Sequence, residues 1–248
     1  MRTLLSSNIC AKGWGAIKLA ATAAIALSIV GCTGGNPYVT NADRNEIITV
    51  GDSIFDLSGE IQLFLEQNAG QTFRNYTQSG AELSGGVLAS AVDSQYAAAK
   101  ATDSNIDIIV MNGAGNDILI PAMLFDPYGC RTQWYRWSIS QKCKNLVMEQ
   151  YVTAVNLLNE MDADGVSNIV YLGYYVTPRS NANLAQAIGM GDDYLSYACN
   201  TASTANCKFV DPRGTVDASN VEADDIHPTP TGSLILANQI WPVLKTVL

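Results

Sequence analysis

A serine, a histidine and a neighbouring aspartate in this 248-residue sequence are of the types that perform nucleophilic catalysis. Ser53 follows the apolar run IITVGD, and His227, the only histidine, lies near the C-terminus in DDIHPTPTG. A serine hydroxyl needs an adjacent base, and a histidine base needs a carboxylate that fixes its tautomer and stabilises its cation. Asp224, three residues before His227, can supply that carboxylate from the same loop. These residues predict a Ser–His–Asp mechanism, provided that the fold brings Ser53 to His227.

The elements that position these residues are predicted by apolar runs of strand length that alternate with helical patterns. The strand candidates are 47–50, 73–77, 106–111, 168–176 and 208–211. The helix candidates are 60–67, 86–102, 145–161, 183–197 and 231–247. Such alternation is typical of βαβ units around a central parallel sheet, here of about five strands in an α/β domain. In open parallel sheets, sites lie beyond the carboxyl ends of the strands, where this sequence has GDS, QSGA, NGAGND and DDIHP.

These four blocks, in this order, resemble the SGNH, or GDSL-type, hydrolase superfamily. The resemblance rests on GDSI, a glycine-containing turn after the second strand, GND, and D-x-x-H-P near the C-terminus, and it covers most of residues 47–248. It implies a flavodoxin-like three-layer α/β/α sandwich that hydrolyses carboxylic esters. It also implies that Ser53 is the nucleophile, His227 the base and Asp224 the acid of the triad.

The resemblance further implies an oxyanion hole, which is a set of donors for the charge that develops on the substrate oxygen. Its donors are the backbone N–H groups of Ser53 and Gly80 and the side-chain amide of Asn116. Gly85 and Gly86 follow Gly80 closely in the second block. The third block departs from the family pattern G-x-N-D, because Ala114 stands where the pattern has glycine.

Other catalytic motifs are absent from the sequence. It contains neither the G-x-S-x-G elbow of α/β-hydrolases nor an S-x-x-K motif, and GAGNDI lacks the third glycine of a dinucleotide fingerprint. One histidine and scattered carboxylates offer no cage for a transition metal. We therefore expect neither a metal nor another cofactor.

The first 31 residues have the pattern of a secretory signal. Three basic residues precede an apolar run, 19–31, that is too short to span a bilayer. The run ends in IVGC, which resembles a bacterial lipobox and implies cleavage before Cys32 and lipidation of its thiol. Because Thr33 rather than aspartate follows, we expect anchoring in the outer membrane of the bacterial cell envelope. Residues 32–45 are then a polar tether, and 46–248 form a single domain.

The charge of the chain bears on whether it binds nucleic acid, and its cysteines bear on whether it forms disulfides. The whole chain has 23 acidic and 14 basic residues, three of which belong to the signal, and it has no basic run, which argues against nucleic-acid binding. We expect a monomer. In an exported protein two local disulfides are predicted, Cys130 with Cys143 and Cys199 with Cys207.

The segment 121–144 is long for a connection and rich in tyrosine and tryptophan. It is either a wall or lid that contacts the acyl or sugar part of an ester, or a decoration packed against the scaffold. Aromatic side chains suit fatty acyl chains and sugar rings alike. The leading function is therefore a lipid-anchored esterase of the lipase or acylhydrolase kind, with a carbohydrate O-deacetylase as the enzymatic alternative. A non-catalytic surface-binding lipoprotein is the alternative of another class.

Overall fold

A computed structural model describes residues 38–57, 59–86, 88–175, 181–202 and 206–248. Within these ranges one sheet contains five strands, and its order is β2-β1-β3-β4-β5. The strands are β1 (Arg44–Val50), β2 (Phe73–Asn75), β3 (Ile108–Met111), β4 (Asn168–Leu172) and β5 (Asn206–Val210). All neighbouring strands are parallel. Their carboxyl ends therefore lie at one edge of the sheet, which we call the carboxyl edge.

Helices cover both faces of the sheet. In the described ranges they are α1 (Ser53–Asp56), α2 (Glu60–Ala69), α3 (Val92–Thr102), α4 (Gly115–Leu124), α5 (Gln141–Ala163), α6 (Ala182–Thr201) and α7 (Pro230–Leu244), with a 3-10 turn at Ala218–Asn220. Alternate strand residues enter two separate cores: Ile108 and Val110 lie in one, and Ile109 and Met111 in the other. Such continuous apolar strands are what burial on both faces requires. The three-layer α/β/α class predicted from the sequence is confirmed.

The structure corrects several predicted boundaries. Helix α3 begins at Val92 rather than near Gly86, because the preceding loop folds back and its Glu82 carbonyl accepts the Val92 N–H at 3.0 Å. Helix α4 was not predicted; it contains Pro121, a residue that disfavours a helix interior. Strand β4 ends at Leu172, four residues before the predicted end, and the last of those four lies outside the described residues. The irregular part of the aromatic segment is therefore 125–140, because both of its ends are helical.

Both predicted cysteine pairs lie at disulfide distance. Cys130 and Cys143 join the aromatic segment to the start of α5, with a Cα–Cα distance of 5.2 Å. Cys199 and Cys207 join the end of α6 to β5, also at 5.2 Å. No helix in the described part of the chain is both long and apolar enough to cross a membrane.

A buried aspartate on α6 makes the stability of the fold depend on pH. Asp192 is 1% exposed; its Oδ1 accepts the Tyr174 N–H at 2.9 Å, and its Oδ2 has no hydrogen-bond partner among the described residues. Burial raises the pKa of Asp192 to about 8. An unfolded aspartate titrates near about 3.9, so the folded state holds this proton more tightly. The resulting stabilisation is complete below about pH 4 and is lost as the pH rises to about 8.

We expect Asp192→Asn to remove this pH dependence, because an amide does not ionise. Between pH 5 and 8 the free energy of unfolding of the wild type should fall relative to the variant by about 1.4 kcal/mol per pH unit. Denaturant unfolding at several pH values measures this difference. The neighbouring exposed Asp193 provides the control, and Asp193→Asn should keep the slope of the wild type. Parallel curves for wild type and Asp192→Asn would contradict the assignment.

Candidate active site

The turn that carries Ser53 is held tightly at the carboxyl end of β1. Gly51 has a φ of +154°, and a Cβ there would lie 2.0 Å from Oδ1 of Asn112, so only glycine fits. Asp52 caps α1, and its Oδ1 accepts the Ile54 N–H at 2.9 Å. Ser53 is the first residue of α1 and is half-buried. The Ser53 N–H is one of the first N–H groups of α1, which have no partner within the helix.

Asp52 is buried in a network that joins three strand ends. The backbone N–H of Asp52 donates to Oδ1 of Asn112 at 3.0 Å, and Nδ2 of Asn112 donates to Oδ1 of Asp52 at 2.7 Å. The hydroxyl of Tyr174, which follows β4, donates to Oδ2 of Asp52. Burial raises the pKa of Asp52, although hydrogen bonds from Tyr174, Ile54 and Asn112 oppose the rise. The turn that carries Ser53 is thus anchored to the ends of both β3 and β4.

The loop after β2 places Gly80 beside this turn. Gly80 has a φ of +84°, in the left-handed region. The preceding Ser79 donates both its N–H and its hydroxyl to Oδ2 of Asp56 in α1, at 2.7 and 2.5 Å. The Gln78 N–H also donates to the Gly51 carbonyl at 3.0 Å. These bonds hold the loop next to the start of α1.

The first turn of α4 is attached to the same loop. Nδ2 of Asn116 donates to the Ala81 carbonyl at 2.9 Å, which holds the amide beside Gly80. Oδ2 of Asp117 accepts the Leu83 N–H at 2.9 Å, and burial raises the pKa of Asp117 to about 7. Asp52 and Asp117 thus hold their loops by accepting backbone N–H bonds. The structure therefore brings Ser53, Gly80 and Asn116 to neighbouring loops of the carboxyl edge.

Ala114, which replaces the glycine of the family pattern, adopts a φ of +81° as the N-terminal cap of α4. A left-handed conformation costs a residue with a Cβ about 1–2 kcal/mol. We expect Ala114→Gly to raise the free energy of unfolding by up to about 1 kcal/mol, measured by denaturant unfolding. Ala91 is a matched control, since it is also a buried helix cap but has an ordinary φ of −64°. Ala91→Gly should destabilise the protein; equal effects of both changes would show that strain at Ala114 is negligible.

Asp224 and His227 form the expected pair on the loop before α7. Oδ2 of Asp224 lies 2.5 Å from Nδ1 of His227, and its Oδ1 accepts the backbone N–H groups of Ile226 and His227 at 2.9 and 3.0 Å. Burial opposes ionisation of Asp224, but the hydrogen bonds from the His227 ring and from these N–H groups outweigh it and lower its pKa to about 2. Asp224 is thus a carboxylate at neutral pH, and Nε2 is the ring nitrogen left for chemistry.

The loop that holds Asp224 and His227 lies next to the turn that carries Ser53. Ile54, which follows Ser53, and Ile226, which precedes His227, line the same small pocket, of about 30 Å³. The hydroxyl of Tyr175 donates to the Ile226 carbonyl at 2.6 Å and ties this loop to the end of β4. His227 is also close enough to Asp52 to affect the ionisation of that residue. The residues that sequence reasoning assigned to the triad therefore belong to adjacent loops.

Two residues of this site were missed by sequence reasoning. Asn112 directly follows β3 and could have been found from its place in MNGAGND, ahead of the GND block. Tyr174 follows β4, but the predicted strand ran past it to residue 176. Cys32 lies outside the described residues. Within the described ranges no group of three or more histidine, cysteine, aspartate or glutamate side chains could hold a metal ion.

No family model and no curated protein matches the chain. Solved structures do resemble it. A provisionally assigned SGNH hydrolase from Slackia heliotrinireducens gives a TM-score of 0.54 at 15% identity, covering 80% of this chain and 97% of that one. A lipase from a goat-rumen metagenome gives 0.57 at 14% identity, covering 81% and 96%. A variant of an acetylxylan esterase from Geobacillus stearothermophilus gives 0.56 at 14% identity, covering 79% and 92%. The chain therefore has the fold of the SGNH hydrolases, as the four sequence blocks predicted.

Proposed function

We propose that the protein is a lipid-anchored serine hydrolase that cleaves carboxylic esters. The observation that carries the proposal is the bond between Asp224 and Nδ1 of His227, on a loop adjacent to the turn that presents Ser53. A carboxylate on Nδ1 keeps Nε2 free to accept a proton, which is the state a general base requires. The fold shared with esterases and lipases supports the same chemistry.

The mechanism follows from these positions. Nε2 of His227 takes the Ser53 proton as Oγ attacks the ester carbonyl, and Asp224 stabilises the imidazolium that forms. The oxyanion is bound by the N–H groups of Ser53 and Gly80 and by the amide of Asn116. The imidazolium then gives its proton to the leaving alcohol, which leaves an acyl group on Ser53. Water, activated by the same histidine, attacks this acyl-enzyme, releases the acid and restores the serine.

Removal of acetyl groups from a carbohydrate is the second candidate, and the size of the pocket favours it. The pocket between Ile54 and Ile226 has room for about 30 Å³, enough for roughly two water molecules. An acetyl group fits such a space, whereas a longer acyl chain would have to extend out of it along the surface. One neighbour in fold is an acetylxylan esterase.

Hydrolysis of p-nitrophenyl esters from acetyl to palmitoyl, together with acetylated xylan, tests the proposed function. Turnover of any of these esters without an added cofactor is the expected result. Activity restricted to acetylated xylan and p-nitrophenyl acetate would select the deacetylase. If no ester in the panel is cleaved, the hydrolase assignment is wrong.

Tyr174 should be a positioning residue for this reaction. Its hydroxyl donates to Asp52, whose carboxylate caps the helix that begins with Ser53. Tyr174→Phe keeps the ring but removes this bond, which should cost about 1–3 kcal/mol of stability and let the nucleophile turn shift. We expect kcat to fall roughly tenfold with little change in KM, because a small misplacement of a reacting group slows the chemical step.

A matched control separates positioning from stability. The hydroxyl of Tyr96, a buried residue on α3, donates to Oδ2 of Asp164 at 2.9 Å near the opposite edge of the sheet. Tyr96→Phe should also reduce stability but should leave kcat unchanged. Steady-state kinetics and unfolding curves of both variants provide the comparison. A normal kcat in Tyr174→Phe would remove Tyr174 from the positioning role.

A further inference from the structure

The aromatic segment, residues 125–140, exposes large apolar side chains to solvent. Phe125 is 89% exposed, and Trp134 and Trp137 are each 86% exposed. Tyr135 is 59% exposed and packs edge-on against Trp134, with ring centroids 5.3 Å apart. Contiguous exposed apolar patches on soluble proteins mark surfaces that meet a partner, a ligand or a membrane. We therefore expect a partner, a ligand or a membrane to cover this segment.

The segment is fixed in place despite its exposure. The Cys130–Cys143 pair joins it to α5, and Arg136 forms an ion pair with Asp126 at 3.0 Å. Its Thr132 N–H donates to Oδ1 of Asn181, the residue that caps α6, at 2.8 Å. The tryptophans are thus displayed by an ordered scaffold rather than folded onto the domain.

This scaffold lies at the carboxyl edge, where the candidate active site is. Helix α5 ends at Ala163, shortly before β4 begins, so the start of α5 points toward the carboxyl ends of the strands. Helix α6 begins after β4 has ended, so its N-terminus lies at the same edge. The aromatic segment contacts both of these helix starts. The exposed Leu88 lies at this edge as well, with its Cβ 3.7 Å from the position of a Cβ on Gly80.

The N-terminal chain meets the domain at this edge too. Val39 pairs antiparallel with Asn75, the last residue of β2, through bonds of 2.9 and 2.8 Å. Tyr38 packs edge-on against Tyr76, which follows that strand end, with ring centroids 4.9 Å apart. Cys32 lies six residues before Tyr38, and six residues span at most about 20–22 Å. The chain that would follow a lipidated Cys32 therefore enters the domain at the carboxyl edge.

The charge of the segment also fits a lipid surface. The aromatic segment together with its flanking helix turns, residues 121–144, contains four basic residues and one acidic residue, in a chain whose net charge is −9. Arg131, Lys142 and Lys144 are exposed. Basic residues near a bilayer are attracted to anionic headgroups, and tryptophan and tyrosine prefer the interface between headgroups and acyl chains.

We propose that the aromatic segment is a membrane-contact surface, which rests on the bilayer that holds the anchor and turns the active site toward lipid. The inference rests on the lipid anchor of the proposed function and deepens it, because it identifies the substrate as an ester presented at a lipid surface. Glycan binding by the same aromatic side chains is the competing outcome.

Fluorescence quenching tests the contact without any reference to activity. The lipidated protein is reconstituted in vesicles of phosphatidylcholine and phosphatidylglycerol with brominated acyl chains, which quench only tryptophans that reach the lipid. Three tryptophans follow Cys32, and the third, Trp241, lies about 17 Å along α7 from the end nearest the carboxyl edge. Trp241→Phe should still be quenched. The Trp134→Phe/Trp137→Phe double variant, which retains only Trp241, should not be quenched.

Other outcomes of this experiment overturn the proposal. Vesicle-bound protein in which Trp134 and Trp137 are not quenched would exclude membrane contact. If acetylated xylan in solution perturbs these two tryptophans while vesicles do not, the surface binds glycans. Protein that fails to float with vesicles would overturn the anchor as well as the orientation, and it would leave the esterase assay of the proposed function intact.

Activity on two substrates distinguishes failure of this inference from failure of the proposed function. Trp134→Ser/Trp137→Ser should lower hydrolysis of a long-chain ester held in vesicles by about tenfold, because the anchored protein no longer holds its active site against the lipid. Hydrolysis of water-soluble p-nitrophenyl acetate should be unchanged. Equal losses on both substrates would make the segment a wall of the site and overturn the membrane role. No hydrolysis of either substrate by the wild type would refute the proposed function, while the quenching result would still stand.

Discussion

Ser53→Ala should abolish ester hydrolysis and leave the fold intact. In the proposed mechanism the Ser53 hydroxyl oxygen attacks the ester carbonyl, so its removal takes away the group that forms the acyl-enzyme. In a serine protease, loss of the nucleophile costs about 10⁶ in kcat, and we expect residual activity below about a few per cent of wild type. Stability should change little, because the carboxylate of Asp52, rather than the serine, caps α1. Hydrolysis rates and thermal unfolding of the purified variant measure both effects.

Ser94→Ala is the matched control for this change. Ser94 is an exposed serine near the start of α3 and hydrogen-bonds only its neighbour Asp93 through its side chain in the described structure. Its replacement should leave turnover and unfolding unchanged. Substantial turnover in Ser53→Ala would place the nucleophile elsewhere.

Asp224→Asn should lower kcat strongly, with the loss at least roughly tenfold and as large as about 10⁴, the cost of the corresponding change in a serine protease. The amide can still accept the N–H groups of Ile226 and His227 through its oxygen. Its NH₂ group then faces Nδ1 of His227, which forces the ring into the tautomer with the proton on Nε2. A histidine in that tautomer cannot take the serine proton, and the imidazolium loses its counter-charge.

Asp225→Asn tests whether the adjacent carboxylate has the same role. Asp225 has a φ of +61°, a conformation that asparagine adopts readily, so the loop should keep its shape. We expect its kcat to stay near that of the wild type. If steady-state kinetics show the larger loss for Asp225→Asn, the triad acid has been assigned to the wrong residue.

The parts of the site that could be predicted from the sequence are those formed by residues close together along the chain. The i, i+3 spacing of Asp224 and His227 places both on one turn, and the structure shows the bond that this spacing implies. Likewise, GDS after an apolar run predicted a polar turn at the end of β1, where Ser53 is found. The alternation of strand and helix patterns also predicted the parallel sheet, and continuous apolar runs such as IIVM fit strands buried on both faces.

Contacts between residues far apart in sequence could not be predicted in the same way. Tyr174 donates to Asp52 across a separation of 122 residues, and nothing local to YLGYY indicates that its hydroxyl is needed there. Helix α4 could not be predicted locally, because Pro121 disfavours a helix. Packing against α5 and α6, which are distant in sequence, stabilises it. The position of the aromatic segment at the carboxyl edge depends on where α5 and α6 begin, which only the assembled sheet defines.

Covalent labelling by a fluorophosphonate probe, followed by mass spectrometry of the digested protein, tests directly whether Ser53 is an activated nucleophile. Only an activated serine reacts with such a probe, so a surface-binding lipoprotein with an inert serine would remain unlabelled. We expect a single labelled peptide with the phosphonyl group on Ser53, and loss of the label in Ser53→Ala and in His227→Ala. A wild-type protein that resists labelling, or that carries the label on a serine other than Ser53, would contradict this assignment.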